Sequence, residues 1–182
     1  MRPVMRHSLL LLFVLPAVVA AFGRVPDGPS SVQGSACEAT KPNDVGILGQ
    51  TERGSYGNGQ LSVGPFGLWP DGTVVFKPGG SGFVTRDGSL GMKFGWRRGV
   101  RGHLTISGRR LDARALPLRA QISDGYGDFG FQATYLVFST PGCWEVTGRV
   151  GDVSLTFVTN VLKIGEGPAR FDPEGIESRS PQ

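Results

Sequence analysis

The stretch Thr140–Lys163, TPGCWEVTGRVGDVSLTFVTNVLK, constrains the fold more than any other, because it reads as two alternating strands joined by the turn Gly151-Asp152. A glycine at the first central position suits a type II′ hairpin. Counting outward from the turn pairs Val150 with Val153, Gly148 with Leu155, Val146 with Phe157 and Trp144 with Thr159. That face is apolar. The other sets Cys143, Glu145, Thr147 and Arg149 against Asn160, Val158, Thr156 and Ser154, so a slip of one residue would turn polar groups into the core. Side-chain alternation alone thus specifies the register of an antiparallel pair.

The same alternation marks further short strands. Leu90, Met92, Phe94 and Trp96 share one face, with Gly91, Lys93, Gly95 and Arg97 on the other, and Leu116, Leu118, Ala120 and Ile122 oppose Pro117, Arg119 and Gln121. Strands are predicted over Thr73–Lys77, Leu90–Arg97, His103–Ser107, Leu116–Ile122 and Phe131–Ser139, ahead of the hairpin. Twenty-nine glycines and thirteen prolines argue against long helices. Turn-bounded strands at this spacing predict an all-β, antiparallel two-sheet sandwich, and Gly142-x-Trp144-x-Val146 gives it an immunoglobulin-like character, since a corner tyrosine often occupies the place of Trp144. The usual inter-sheet cysteine is replaced by Val146.

At the amino end, Arg2 and Arg6 precede an apolar run from Leu9 to Phe22 and small residues that suit cleavage after Ala20, Ala21 or Gly23. This is the pattern of a secretory signal peptide over residues 1–22. The run is shorter than the ~20 apolar residues of a membrane-spanning helix and contains Pro16, so no permanent membrane anchor is expected. Residues 23–36 read as a flexible leader, 37–164 as the β-sandwich domain and 165–182 as a disordered carboxy-terminal tail. Secretion, or residence in the bacterial cell envelope, would let Cys37 and Cys143 form a disulfide; two unpaired thiols are the alternative.

Several runs resemble those of a family of uncharacterised exported bacterial proteins: Gly108-Arg-Arg-Leu-Asp112, Asp124-Gly-Tyr-Gly-Asp128 with Gly130-Phe-Gln132, and Pro141-Gly-Cys-Trp-Glu-Val-Thr-Gly-Arg-Val-Gly-Asp152 with Leu155-Thr-Phe-Val158. The resemblance covers Cys37 to Lys163 and implies an exported β-domain; it transfers no catalytic residue and no cofactor. Some members resemble lipoproteins. Here the residue three positions before Cys37 is Gly34, not a branched apolar residue, so the lipid-attachment pattern is missing.

No motif specifies an activity. His103 is the single histidine beyond the signal, which excludes sites needing two, and neither a Gly-x-Ser-x-Gly elbow nor a Cys-x-x-Cys pair occurs. Gly79-Gly80-Ser81-Gly82 lacks the Lys-Ser/Thr ending of a phosphate loop and reads as an inter-strand loop. Trp96 and Trp144 fall on apolar faces, while Trp69 precedes a turn and reads as a sheet-end residue or a surface contact. Two candidate binding surfaces stand out. In the loop from Asp124 to Phe131, Asp124 and Asp128 offer carboxylates for a cation or for sugar hydroxyls, and Tyr126 offers a stacking face; the same residues also suit a tight structural loop. Between Arg86 and Arg119, nine basic residues stand against Asp87 and Asp112, and Arg97, Arg98 and Arg101 are the densest group. Such a stripe would attract an anionic envelope polymer, although basic residues on a strand also guard against edge pairing.

The expected function is that of an exported non-catalytic binding or structural module, with an anionic envelope polymer, a glycan or another protein as partner, no nucleic acid and no cofactor. The alternatives are a small secreted hydrolase using His103 or the Asp124/Asp128 pair, and a proteinase inhibitor with a protruding loop.

Overall fold

The structure, a computed structural model, describes residues 37–65 and 71–171. The predicted signal, the leader, Trp69 and the sequence beyond Phe171 lie outside the described residues.

Ten strands form among these residues: β1 (Tyr56–Gly57), β2 (Leu61–Pro65), β3 (Thr73–Phe76), β4 (Phe83–Val84), β5 (Leu90–Arg98), β6 (Leu104–Arg110), β7 (Arg119–Ile122), β8 (Gly130–Phe138), β9 (Gly142–Val150) and β10 (Val153–Lys163). One sheet runs β1-β2-β5-β8-β7, with β4 pairing the start of β5 where β2 does not reach, and the other runs β3-β10-β9-β6. Pairing is antiparallel throughout except between β3 and β10, which are parallel. Two sheets facing each other over one core make a sandwich.

The hairpin register is the one that alternation requires, with Val150 opposite Val153, Val146 opposite Phe157 and Trp144 opposite Thr159. Its turn glycine, Gly151, has φ +56°. The aromatic side chains on the two inner faces meet across the core: the ring of Phe157 lies 6.3 Å from that of Phe94 and 6.4 Å from that of Trp96, and Phe138 meets Trp144 edge-on at 5.6 Å. Gly148 faces Trp96 so closely that a Cβ there would overlap the indole. Trp144 keeps its polar atom satisfied inside the core, donating from Nε1 to the Thr140 carbonyl at 3.0 Å.

Several sequence expectations change in detail. β7 is shorter than the predicted strand, because Pro117 has no N–H for a ladder, and Leu116 is 74% exposed instead of facing the core. β6 begins one residue after His103 and continues to Arg110. β1, β2 and β4, absent from the prediction, complete the first sheet. The domain also extends past residue 164. Val84 donates to the Ala169 carbonyl, Phe171 donates to the Val84 carbonyl, and the Phe171 ring meets Phe83 edge-on at 5.2 Å, so 165–171 run beside β4.

Cys37 and Cys143 form a disulfide whose sequence separation is 106 residues. The segment after Cys37 is tied to the second sheet by a reciprocal pair at Thr40, whose N–H reaches the Val158 carbonyl and whose hydroxyl accepts the Val158 N–H. It then crosses to the first sheet, where the Asn43 side chain accepts from Gly57 N–H at 3.0 Å and donates to the Gly57 carbonyl at 2.8 Å.

This packing sets two expected outcomes. Trp144→Ala should lower stability by ~3 to 5 kcal/mol, while Glu145→Ala, which loses a surface pair with Arg109, should cost under ~1 kcal/mol; urea melts giving equal midpoint shifts would contradict the inward place of Trp144. Intact mass after alkylation should show no free thiol until reductant is added, and breaking the disulfide should cost ~4 to 5 kcal/mol on the chain-entropy estimate for a loop of about 100 residues.

Candidate functional site

The alternation along β5 places Leu90, Met92, Phe94 and Trp96 inward, each no more than 1% exposed, and carries Arg98 inward as well, also 1% exposed. A buried guanidinium must find acceptors. Those of Arg98 are main-chain carbonyls: Nη1 donates to Gly102 and Gly127 at 3.1 Å, Nη2 to Tyr126 at 3.2 Å, and Nε makes a longer contact to Gly130 at 3.5 Å. Gly127 and Gly130 have φ of +64° and +77°, which lets the loop turn its carbonyls toward the cation. The Gly102 N–H donates to the Asp128 carbonyl at 2.8 Å and closes the β5–β6 turn on the β7–β8 loop. Arg98 is therefore an internal support of this end of the sandwich, buried beneath the surface that carries Arg97 and Arg101.

Outside this support, the two surfaces distinguished in the sequence are one. Arg101 Nη1 pairs with Asp128 Oδ1 at 2.9 Å, and its guanidinium stands 5.8 Å from the Phe129 ring centroid. Arg97 Nε pairs with Glu52 Oε1 at 2.7 Å and its guanidinium stands 5.9 Å from the centroid of Phe131, its partner across β5 and β8. Tyr126 meets Phe131 edge-on at 5.5 Å. The three rings remain open to solvent, Tyr126 at 39%, Phe129 at 43% and Phe131 at 37%. Asp124 is exposed on the same loop. Phe129 and Phe131 thus join Tyr126 as functional candidates; their signal in the sequence is two large apolar residues in a glycine-rich loop, one of them outside any strand.

The rest of the stripe is dispersed. Arg109 pairs with Glu145 at 2.8 Å, Arg110 with Asp112 at 2.6 Å and Arg119 with Asp87 at 3.1 Å, and β6 lies in a different sheet from β5 and β7. The Asp87 carboxyl is held well below the ordinary carboxylate range, chiefly by the Thr85 hydroxyl and next by the Ser89 N–H, and Asp112 is lowered first by its Arg110 hydrogen bond. Of the seven positive charges in excess along that segment, three are paired in space with acids outside it, Glu52, Asp128 and Glu145.

His103 is solvent-exposed beside Gly102, and the carboxylate of Asp128 is engaged by Arg101, not by His103. Gly79–Gly82 form the turn between β3 and β4, with a strand and not a helix after it. Among the described residues, no three His, Cys, Asp or Glu side chains group closely enough to hold a metal ion, and no helix is long and apolar enough to cross a membrane. No family model matches this chain, and no curated protein or solved structure matches it.

Replacing Arg98 removes the cation that ties the carbonyls of Gly102, Tyr126 and Gly127 together. Arg98→Ala should cost at least about 3 kcal/mol and raise amide exchange selectively in residues 124–131, whereas Arg97→Ala should cost under ~1 kcal/mol. Equal, small midpoint shifts for the two variants would deny Arg98 this supporting role.

Proposed function

We propose that this chain is an exported, non-catalytic binding module of the bacterial cell envelope, immunoglobulin-like in architecture, whose ligand docks on the aromatic end of the sandwich. The observation that carries the reading is the convergence of Tyr126, Phe129 and Phe131 with Arg97 and Arg101 on two loops and the strand ends beside them, braced from inside by Arg98. Exposed rings on an otherwise well-packed domain are characteristic of contact surfaces, and a loop whose backbone is fixed loses little freedom when it binds.

Strand order supports the immunoglobulin-like assignment. β2-β5-β8-β7 follows the A-B-E-D order of a constant-type domain, and β6-β9-β10 follows C-F-G. Trp144 is a second support, standing near the start of β9 and bonding to the main chain 4 residues upstream, in the manner of a corner tyrosine. In this correspondence the β5–β6 turn is the B–C loop, one of the loops that variable domains use for recognition. Export is supported by the apolar run of the predicted signal peptide, by the resemblance to exported bacterial proteins and by the Cys37–Cys143 bond, which persists in oxidising compartments. The engagement of Asp128 by Arg101 argues against the hydrolase alternative that would use the Asp124/Asp128 pair.

Co-sedimentation of the mature protein with the isolated envelope of the producing cell tests the site. The double variant Tyr126→Ala/Phe129→Ala should remain in the supernatant while Arg109→Ala, on the other sheet, pellets like the wild type. Pelleting of all three proteins alike would remove the aromatic end from the function.

A further inference from the structure

We infer that the ligand of the aromatic end is a neutral glycan, held by stacking and side-chain hydrogen bonds and not by net charge. This rests on the docking site proposed above and names its ligand class.

Charge balance at the site points away from a polyanion. Arg97, Arg98 and Arg101 are matched by Glu52, Asp124 and Asp128; Arg98 is buried against carbonyls, and Arg97 and Arg101 each hold a carboxylate, at 2.7 Å and 2.9 Å. A polyanion approaching this surface would meet carboxylates along with guanidinium groups, so the site presents it little net positive charge.

The loop backbone points away from a peptide that adds a strand. The carbonyls of Tyr126, Gly127 and Gly130 accept from Arg98, and that of Asp128 accepts from Gly102 N–H. An extended peptide draws much of its affinity from main-chain pairing, and these acceptors are occupied.

Side chains are what this end offers. Three partly exposed rings, Tyr126, Phe129 and Phe131, provide apolar faces, and beside them lie planar polar groups, the guanidinium of Arg101 with the carboxylate of Asp128 and the guanidinium of Arg97 with that of Glu52. Each guanidinium carries five N–H donors and the carboxylates accept at several positions, so donors and acceptors remain after the internal pairs are formed. A pyranose has this pattern in complement, with apolar C–H faces and a rim of hydroxyls that both donate and accept. Arg98 fixes the loop backbone before the ligand arrives, so stacking is not offset by ordering that backbone.

The mature wild-type protein would be run by affinity electrophoresis through gels containing β-1,4-glucan, chitin derivative, mannan or heparin, at low salt and near ~1 M salt, where the Debye length is ~3 Å. Retardation is expected in at least one neutral polysaccharide and should persist at high salt. Tyr126→Ala and Phe129→Ala should each weaken it about tenfold or more, with far-ultraviolet dichroism unchanged and melting lowered only slightly because both side chains are partly exposed; Tyr126→Phe should retain most of it. Competition by the matching free oligosaccharide gives a readout that needs no variant. Retardation by heparin alone, lost at high salt, would overturn the inference in favour of an anionic polymer. Absence of retardation in every neutral gel would also overturn it, as would envelope binding displaced by a proline-rich peptide and not by sugar. If the envelope pelleting still depends on Tyr126 and Phe129 in those cases, the docking site stands and only the ligand class fails; if it does not, both fail.

Discussion

The two sheets meet where Trp96 lies against Gly148, and the spacing of the sandwich depends on that contact. A side chain at position 148 would collide with the indole, so β9 can approach β5 only with glycine there. The hairpin register must then put Gly148, and with it Trp144, Val146 and Val150, on the inner face opposite Phe157 and its neighbours. Close-packed interiors make such a requirement strict, because the cost of even one extra methylene has to be taken up by neighbouring side chains or backbone. On β5 the same inward phase reaches Arg98 two residues after Trp96. A charge delivered to the end of a core needs acceptors, and the β7–β8 loop bends to supply them. The shape of the candidate site is therefore a consequence of core packing carried one step too far along a strand.

Much of this fold is legible in the alternation of the chain. β5, β8, β9 and β10 are long enough for a period of two to show, and the hairpin carries its turn signal in Gly151. β1 and β4, with two residues each, hold no period to read, and β2 is identified by its pairing with β1 and β5. The inward phase of Arg98 is itself visible in the run Leu90, Met92, Phe94, Trp96; residue type argues for the surface, but the alternation points the other way and prevails. Leu116 misleads for the opposite reason, since its apparent alternation runs through Pro117, which cannot extend a ladder.

Charge is the least readable property. A count along the chain sees nine basic residues and two acids, but ion pairing is decided by proximity in the fold, and Glu52 lies 45 residues from Arg97. Asp128, 27 residues from Arg101, stands out in the sequence, though as part of a separate surface. The fusion of those surfaces into one end comes from the sheet order, which sets β5 beside β8, and neither segment alone contains that information.

The disulfide also sets how the domain carries mechanical load. A pull on the chain ahead of Cys37 enters the fold at that residue and crosses the covalent bond to Cys143, at the start of β9. From there it runs through the β9–β10 hairpin to the segment that ends at Phe171. Strands β1 to β8, and the whole loop from Asp124 to Phe131, lie inside the ring that the bond closes and off this covalent path. Tension between the two ends of the domain would therefore be carried covalently by the bond, the hairpin and residues 165–171, and it would reach the first sheet through the hydrogen bonds of that last segment to β4.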